Sequence, residues 1–471
     1  MRRAAGIVGL LAFASVAWSV LTFGGVYPWT YWPLIALLGI TGSVSLVTWV
    51  RLRRAPGRLP LAVLVSLGAV AAAIGAQAVP IPRAMIVQLS PATDAFLRQH
   101  DLAYAAGAAQ HPLSIDPAAT RRAFAFVVAL TVLLASLTFS LTTAAAQSLS
   151  RRIAALATVV AAIGIAQQAL VTSGKVYGLW TPQQPGTIFG PFVNKNHFAG
   201  WMLMALPLSL GVAFGYVATA WQQKPPPGRR LLWLASPEAN KLILSMFVPL
   251  VMGLSLVLTQ SRSGITAFAI ATAFAAAAAL RARTTWTRRI FLVVYAAAIL
   301  VVAIRFMGVD ALVERFGRPN GDVGGRIGAW HDAERMAHDF PVTGVGINAF
   351  GQAMLDYQST MREFHYSTAH NDWLQVWAEG GWLVGIPALF ALLVFIREIV
   401  KRFREGDDDP ITYSTRAAAV TALLAIALQE CFDFSLQIPA NAVLFTVLIA
   451  IAIHRTVRVP VRVTAPQYAR T

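Results

Sequence analysis

The 471 residues are 57% hydrophobic and only 13% charged, with a mean hydropathy of +0.61. Soluble domains carry about 25% charged residues, so this composition excludes an ordinary soluble protein and requires lipid as part of the solvent. The net charge of +17 invites a nucleic-acid partner, and a single cysteine, Cys431, excludes a disulfide framework, a Cys-based zinc site and a CxxC redox motif.

The apolar runs predict twelve spans, near 6–23, 33–50, 61–79, 123–143, 152–171, 197–220, 242–259, 264–280, 290–307, 381–396, 416–432 and 440–454. Each is close to the length that crosses a bilayer core. Met1, Arg2 and Arg3 before the first run resemble a signal peptide. No small-residue cleavage site follows, and Trp18, Phe23 and Tyr27 do, so the run reads as an uncleaved first span. Pro207 lies inside the sixth span, where neighbours can satisfy the freed carbonyl. The expectation is an all-α polytopic membrane protein, a single integral membrane domain over 1–471.

Orientation follows from the Lys/Arg bias of the loops. With the N-terminus cytoplasmic, segments 1–5, 51–60, 144–152, 221–241, 281–289, 397–416 and 455–471 lie inside. They hold 25 of the 38 Lys and Arg residues but only 6 of the 21 acids. The basic excess is therefore a topology signal on one side of the membrane, and nucleic acid is excluded as a partner. The C-terminus returns to the cytoplasm. Two sizeable outer segments remain, 80–120 and 308–380. In the second, Ala329–Asp339 predicts a short helix with Trp330, Ala333, Met336 and Ala337 on one face, broken by Pro341, Gly344 and Gly346.

The polar residues with chemical potential gather on the outer side. Asn194, Lys195, Asn196 and His197 open the sixth span. Gln260 to Gly264 join the seventh and eighth. Gly325 and Arg326 begin the helical part of the long loop, and His370, Asn371 and Asp372 precede the tenth span. Gln429, Glu430 and Asp433 lie at the outer end of the eleventh. Arg262 sits on a turn too short to carry it far from lipid, so it snorkels, pairs with Glu430 or Asp433, or faces a cavity. Its fork also matches phosphate oxygens. Lys195 is either an interfacial anchor or a cation at a helix N-terminus, a natural anion site. His197 reads as a hydrogen-bonded helix-start residue. His370 is a polar loop residue or a base for a hydroxyl proton. His331, Glu334 and His338 read as a solvated helix face, and Asp407, Asp408 and Asp409 as a solvated acidic loop. No carboxylate cage for Mg²⁺ is evident. Fixed cations and a histidine suit transfer from a phosphate leaving group.

Thr187–Gly200, Ser261–Gly264, Pro341–Gly346 with Phe350, His370–Gln375 with Glu379 and Gly381, and the tail Asp433–Asn441 resemble segments of the O-antigen ligase and O-antigen polymerase superfamily. The resemblance covers roughly 185–400, with the Asp433–Asn441 tail beyond it. It implies a metal-independent inverting glycosyltransferase with a GT-C-type membrane fold and no cofactor, acting at the periplasmic face of the bacterial inner membrane. Its donor would be an undecaprenyl-diphosphate-linked glycan. Arg262 would bind the donor diphosphate, with Lys195, Arg326, Asn196 and His197 beside it. His370 would deprotonate or orient the acceptor hydroxyl, with Asn371 and Asp372 supporting it. Three acceptors are open: a lipid-linked repeat, lipid A-core or a protein hydroxyl. A chain-length regulator is a possible partner. The competing reading is a secondary transporter or lipid-linked glycan flippase, which twelve spans also suit.

Overall fold

The computed structural model describes residues 2–52, 61–170, 174–183, 186–222, 236–281, 321–360, 362–363 and 365–455. The helices in chain order are α1 (Arg2–Leu21), α2 (Pro28–Leu52), α3 (Leu61–Ala78), α4 (Arg83–Leu89), α5 (Pro91–His100), α6 (Leu102–Ala105), α7 (Pro117–Ser140) and α8 (Thr143–Leu170). They continue as α9 (Lys195–Gln222), α10 (Pro237–Leu258), α11 (Arg262–Arg281), α12 (Gly321–Asp339), α13 (Phe350–Tyr357), α14 (Asp372–Glu405), α15 (Pro410–Gln429) and α16 (Pro439–Ile453). Among the described residues, eight helices are long and apolar enough to cross a membrane. Three shorter apolar helices accompany them, Ala5–Leu21, Arg262–Ala277 and Pro439–Ile453. Every predicted span falls on one of these helices except 290–307, which lies outside the described residues. The chain is an all-α polytopic membrane protein.

Several starts are written in the sequence. Asp116 accepts from the Ala119 amide ahead of Pro117, Ser236 accepts from Ala239 ahead of Pro237, and Asp409 accepts from Ile411 and Thr412 ahead of Pro410. A capping side chain followed by proline at the first helical position satisfies or removes the orphan amides of a first turn.

The bundle is built around α9, which is buried along most of its length and packs on α8, α10, α11, α15 and α16. Its closest neighbour is α15. A Cβ at Gly211 would collide with Ala418, and one at Gly215 would lie 2.8 Å from Ile411 Cα. This small-xxx-small spacing lets two backbones approach without side chains between them. Outward-facing positions such as Leu46, Val47, Trp49 and Val50 of α2 stay exposed, as lipid-facing residues do.

At one end of the bundle the segments 81–116, 325–360 and 365–371 form a shared layer. Ile81–Pro82 pairs antiparallel with Gln110–His111. Phe96 and Ile115 pack with Ala333, Met336, Ala337, Phe340, Phe350 and Met354. The helix expected at Ala329–Asp339 is the C-terminal part of α12. Ala333, Met336 and Ala337 face this cluster, whereas Trp330 turns to Phe432, ring centroids 6.1 Å apart. His331, Glu334 and His338 lie on the exposed face.

The opposite end corrects one expectation. Of the run Asp407–Asp409, Asp407 is exposed, but Asp408 and Asp409 are held in structural contacts rather than solvated. Asp408 grips the fully buried Arg416 through two bonds of 2.7 and 3.0 Å, and Arg416 also donates to the Ala452 and His454 carbonyls. Asp409 caps α15 and accepts from Gln147 of α8. These carboxylates tie α8, α15 and α16 together because a buried guanidinium needs a paired charge.

Candidate functional site

The segment before α9 is a tight hairpin. Phe189 and Phe192 pair across Gly190 and Pro191, and both rings pack on Phe198, at 4.6 and 5.9 Å between centroids. Asn194 Oδ1 accepts from the Asn196 amide at 2.8 Å, and the Lys195 amide donates to Thr187 at 2.7 Å. Lys195 is thereby the first residue of a well-capped helix whose positive end faces the layered end of the bundle. The turn 259–261 does the same for α11, with Gln260 in the left-handed region at φ 53° and the Gly264 amide bonded to Ser261 Oγ. Arg262 opens that helix and is half-buried. A Cβ on Gly264 would lie 2.9 Å from the Ala199 Cβ, so the first turns of α9 and α11 abut. Two cation-headed helix N-termini meet here, an arrangement that favours anions.

The stretch between α15 and α16 fills the space above them. The Phe434 ring is flanked edge-on by His197, at 4.7 Å and 77°, and by His370, at 4.9 Å and 76°. Gln429 Nε2 donates to the Asn196 carbonyl and Asn441 Nδ2 to the His197 carbonyl. Arg326 donates to the Phe432 carbonyl at 2.9 Å. Thus residues 429–441 touch the segments that carry Asn196 and His197, Arg326 and His370.

His370 is half-buried and has φ 51°, a conformation that costs a non-glycine residue roughly 1–3 kcal/mol. Its neighbours hold it there. The Ala369 amide donates to Gln375 Oε1 at 2.9 Å, Asn371 Oδ1 accepts from Leu374 as the cap of α14, and the Asp372 amide donates to the Glu430 carbonyl. Asp372 also accepts from Gln437 at 2.6 Å, and the buried Glu430 carboxyl lies close enough to interact with it electrostatically. Burial, and then the Asp372 and Asp433 carboxylates, push Glu430 well above the usual carboxylate range.

One part of the site was not visible in the sequence. Gly381 breaks α14 at φ 53° and ψ −157°. The loop after α12 fills the break. Val345 and Gly346 donate to the Ala378 and Glu379 carbonyls, while Trp382 and Leu383 donate to Pro341 and Val342. Glu379 is buried and accepts from the Asn348 and Phe350 amides at 2.8 and 3.1 Å. Gln77 of α3 stitches the same joint, donating to Thr343 and Glu379 and accepting from Ile347. The glycines at 344, 346 and 381 hinted at a break; the partner of the break had no local signal. Among the described residues, no three His, Cys, Asp or Glu side chains meet as a metal-holding group.

Residues 247–390, about a third of the chain, match the O-antigen ligase family, to which this region is similar. The matched region contains Arg262, Arg326 and His370, while Lys195 and the 429–441 stretch lie outside it. No curated protein matches the chain. The match and the apolar helices together support a membrane protein with a role in surface-glycan assembly.

Proposed function

We propose that the protein transfers a glycan from an undecaprenyl-diphosphate carrier to a hydroxyl acceptor at the periplasmic face of the bacterial inner membrane. The observation that carries this reading is the meeting of the α9 and α11 N-termini, headed by Lys195 and Arg262, beside the His370 turn. In the proposed step the acceptor oxygen attacks the anomeric carbon, and its proton passes to the His370 imidazole. The bond from that carbon to the diphosphate oxygen breaks with inversion. Negative charge then builds on the diphosphate, where Arg262, Lys195, Arg326 and two helix N-termini stabilise it, so no metal ion is required.

The layered end of the bundle is the periplasmic side in this reading, since the Arg- and Lys-rich loops mark the other end as cytoplasmic. A transporter or flippase places its broken helices and polar groups near the bilayer midplane; here the polar residues sit at one end. Among the acceptors we favour another lipid-linked repeat, which makes the protein a polymerase, because the long outer segment and the Asp433–Asn441 tail resemble exopolysaccharide-linked members.

The test is purified protein with a lipid-linked repeat, with and without lipid A-core. Ladders of longer lipid-linked glycan without lipid A-core are expected. Transfer that occurs only when lipid A-core is added makes the protein a ligase. Proton- or sodium-driven uptake into liposomes, with no glycan transfer, removes the proposal.

A further inference from the structure

We propose that Gln375 and Glu379 are positioning residues that clamp the His370 turn, linking the geometry of the base to the joint between α14 and the loop 341–350. The proposal rests on the reading of His370 as the base.

The connection is continuous. Asn348 and Phe350 amides fix both oxygens of the buried Glu379 carboxylate. Its Oε1 also accepts from Gln375 Nε2 at 3.0 Å, which orients the amide. Gln375 Oε1 is then turned toward the Ala369 amide, the residue before His370. Gln375 and Glu379 lie one helical turn apart, so both project from the same face of α14. Ala369, Gln375 and Glu379 are all buried. A bond to a backbone amide next to a left-handed residue restrains the φ and ψ angles that aim the imidazole. The donor–acceptor order is also specific. A carboxylate at 379 can accept three N–H groups; an amide there presents one acceptor oxygen and two N–H donors of its own. The bond from Gln375 to Glu379 is what connects the carboxylate to the residue before His370.

The decisive experiment uses the full-length protein in nanodiscs. Diethyl pyrocarbonate modification of His370 is followed by peptide mass spectrometry from about pH 5.5 to 8.5, with the exposed His338 as internal control. Turnover of an undecaprenyl-diphosphate-linked oligosaccharide is measured on the same samples. For Gln375→Leu and Glu379→Gln, the His370 modification profile should shift by about threefold or more in rate while His338 is unchanged. Their kcat should fall about tenfold or more with KM for the donor within about twofold, as expected when a reacting group is misplaced. Gln375→Glu keeps an acceptor for the Ala369 amide and should fall between these and the unsubstituted protein; it decides the matter if the other two do not fold. Folded variants with unchanged kcat and an unchanged His370 profile overturn the proposal, as does a defect confined to KM. A His370→Ala variant that still transfers glycan instead removes the base reading, and the modification profiles then judge the clamp alone.

Discussion

Phe434 packs against two imidazoles, His197 and His370, each in T-shaped geometry. An aromatic contact of this kind is worth about 0.5–1.5 kcal/mol beyond its buried area. Phe434→Leu keeps the apolar volume and loses the edge-on geometry. It should lower turnover several-fold with little change in thermal stability, measured by glycan transfer and by the melting of tryptophan fluorescence. Glu430 gives a second prediction. Its pKa is raised in the fold above the unfolded carboxylate value, chiefly by burial. The folded state therefore binds the extra proton, and stability is lost as pH rises from the unfolded value of about 4.5 toward the folded one. The melting temperature should fall across that window, and Glu430→Gln should flatten the fall and melt higher than the unsubstituted protein at pH near 8. A steeper fall in the variant contradicts the assignment. Lys195, His197, Arg262, Arg326 and His370, each legible in the sequence as a polar residue of one side, are gathered at one end of the bundle. What the sequence did not contain was Phe434 as the ring that contacts both histidines, because contacts between residues 197, 370 and 434 have no local pattern.

Elements explain why the motifs are spaced as they are. Pro341–Gly346 and Gly381 are two halves of one joint, in which loop amides and carbonyls substitute for the bonds that α14 gives up. A Cβ at Gly344, at φ +62°, would strike the Glu379 carbonyl. Gly344→Ala should cost at least about 2 kcal/mol from the left-handed backbone and overpacking together. It should appear as lost monodisperse protein on size-exclusion chromatography; normal yield and melting contradict the joint. At the far end, Asp408→Asn leaves Arg416 buried without its charge partner, a loss of about 3–5 kcal/mol, whereas replacing Arg416 by Met together with Asp408→Asn should recover most of it. Thermal melting of the single and double variants checks this. The helices themselves were legible, since apolar length and cap-plus-proline starts are local. The structural role of Asp408 has no local signal because its partner, Arg416, lies eight residues further on and is buried only in the folded bundle.

For the whole molecule, charge distribution and site placement must agree. The basic loops mark one end and the candidate site occupies the other. With Cys431→Ser as background, single cysteines at Ala106 and at Gly406 should label from opposite sides of sealed vesicles, the first from the periplasmic side. Labelling from the same side refutes the orientation. The outer layer that joins 81–116 to 325–360 and 365–371 was foreseen only as two loops, because its core of Phe96, Ile115, Met336 and Phe350 pairs residues more than two hundred positions apart.

The most direct measurement is single-turnover release of undecaprenyl diphosphate by purified protein given a lipid-linked glycan and an acceptor. The unsubstituted protein should release it in step with glycan product. His370→Ala and Arg262→Ala, folded and inserted as judged by melting, should each release at most about one part in 10² of that. Near-normal release by either variant contradicts the central claim.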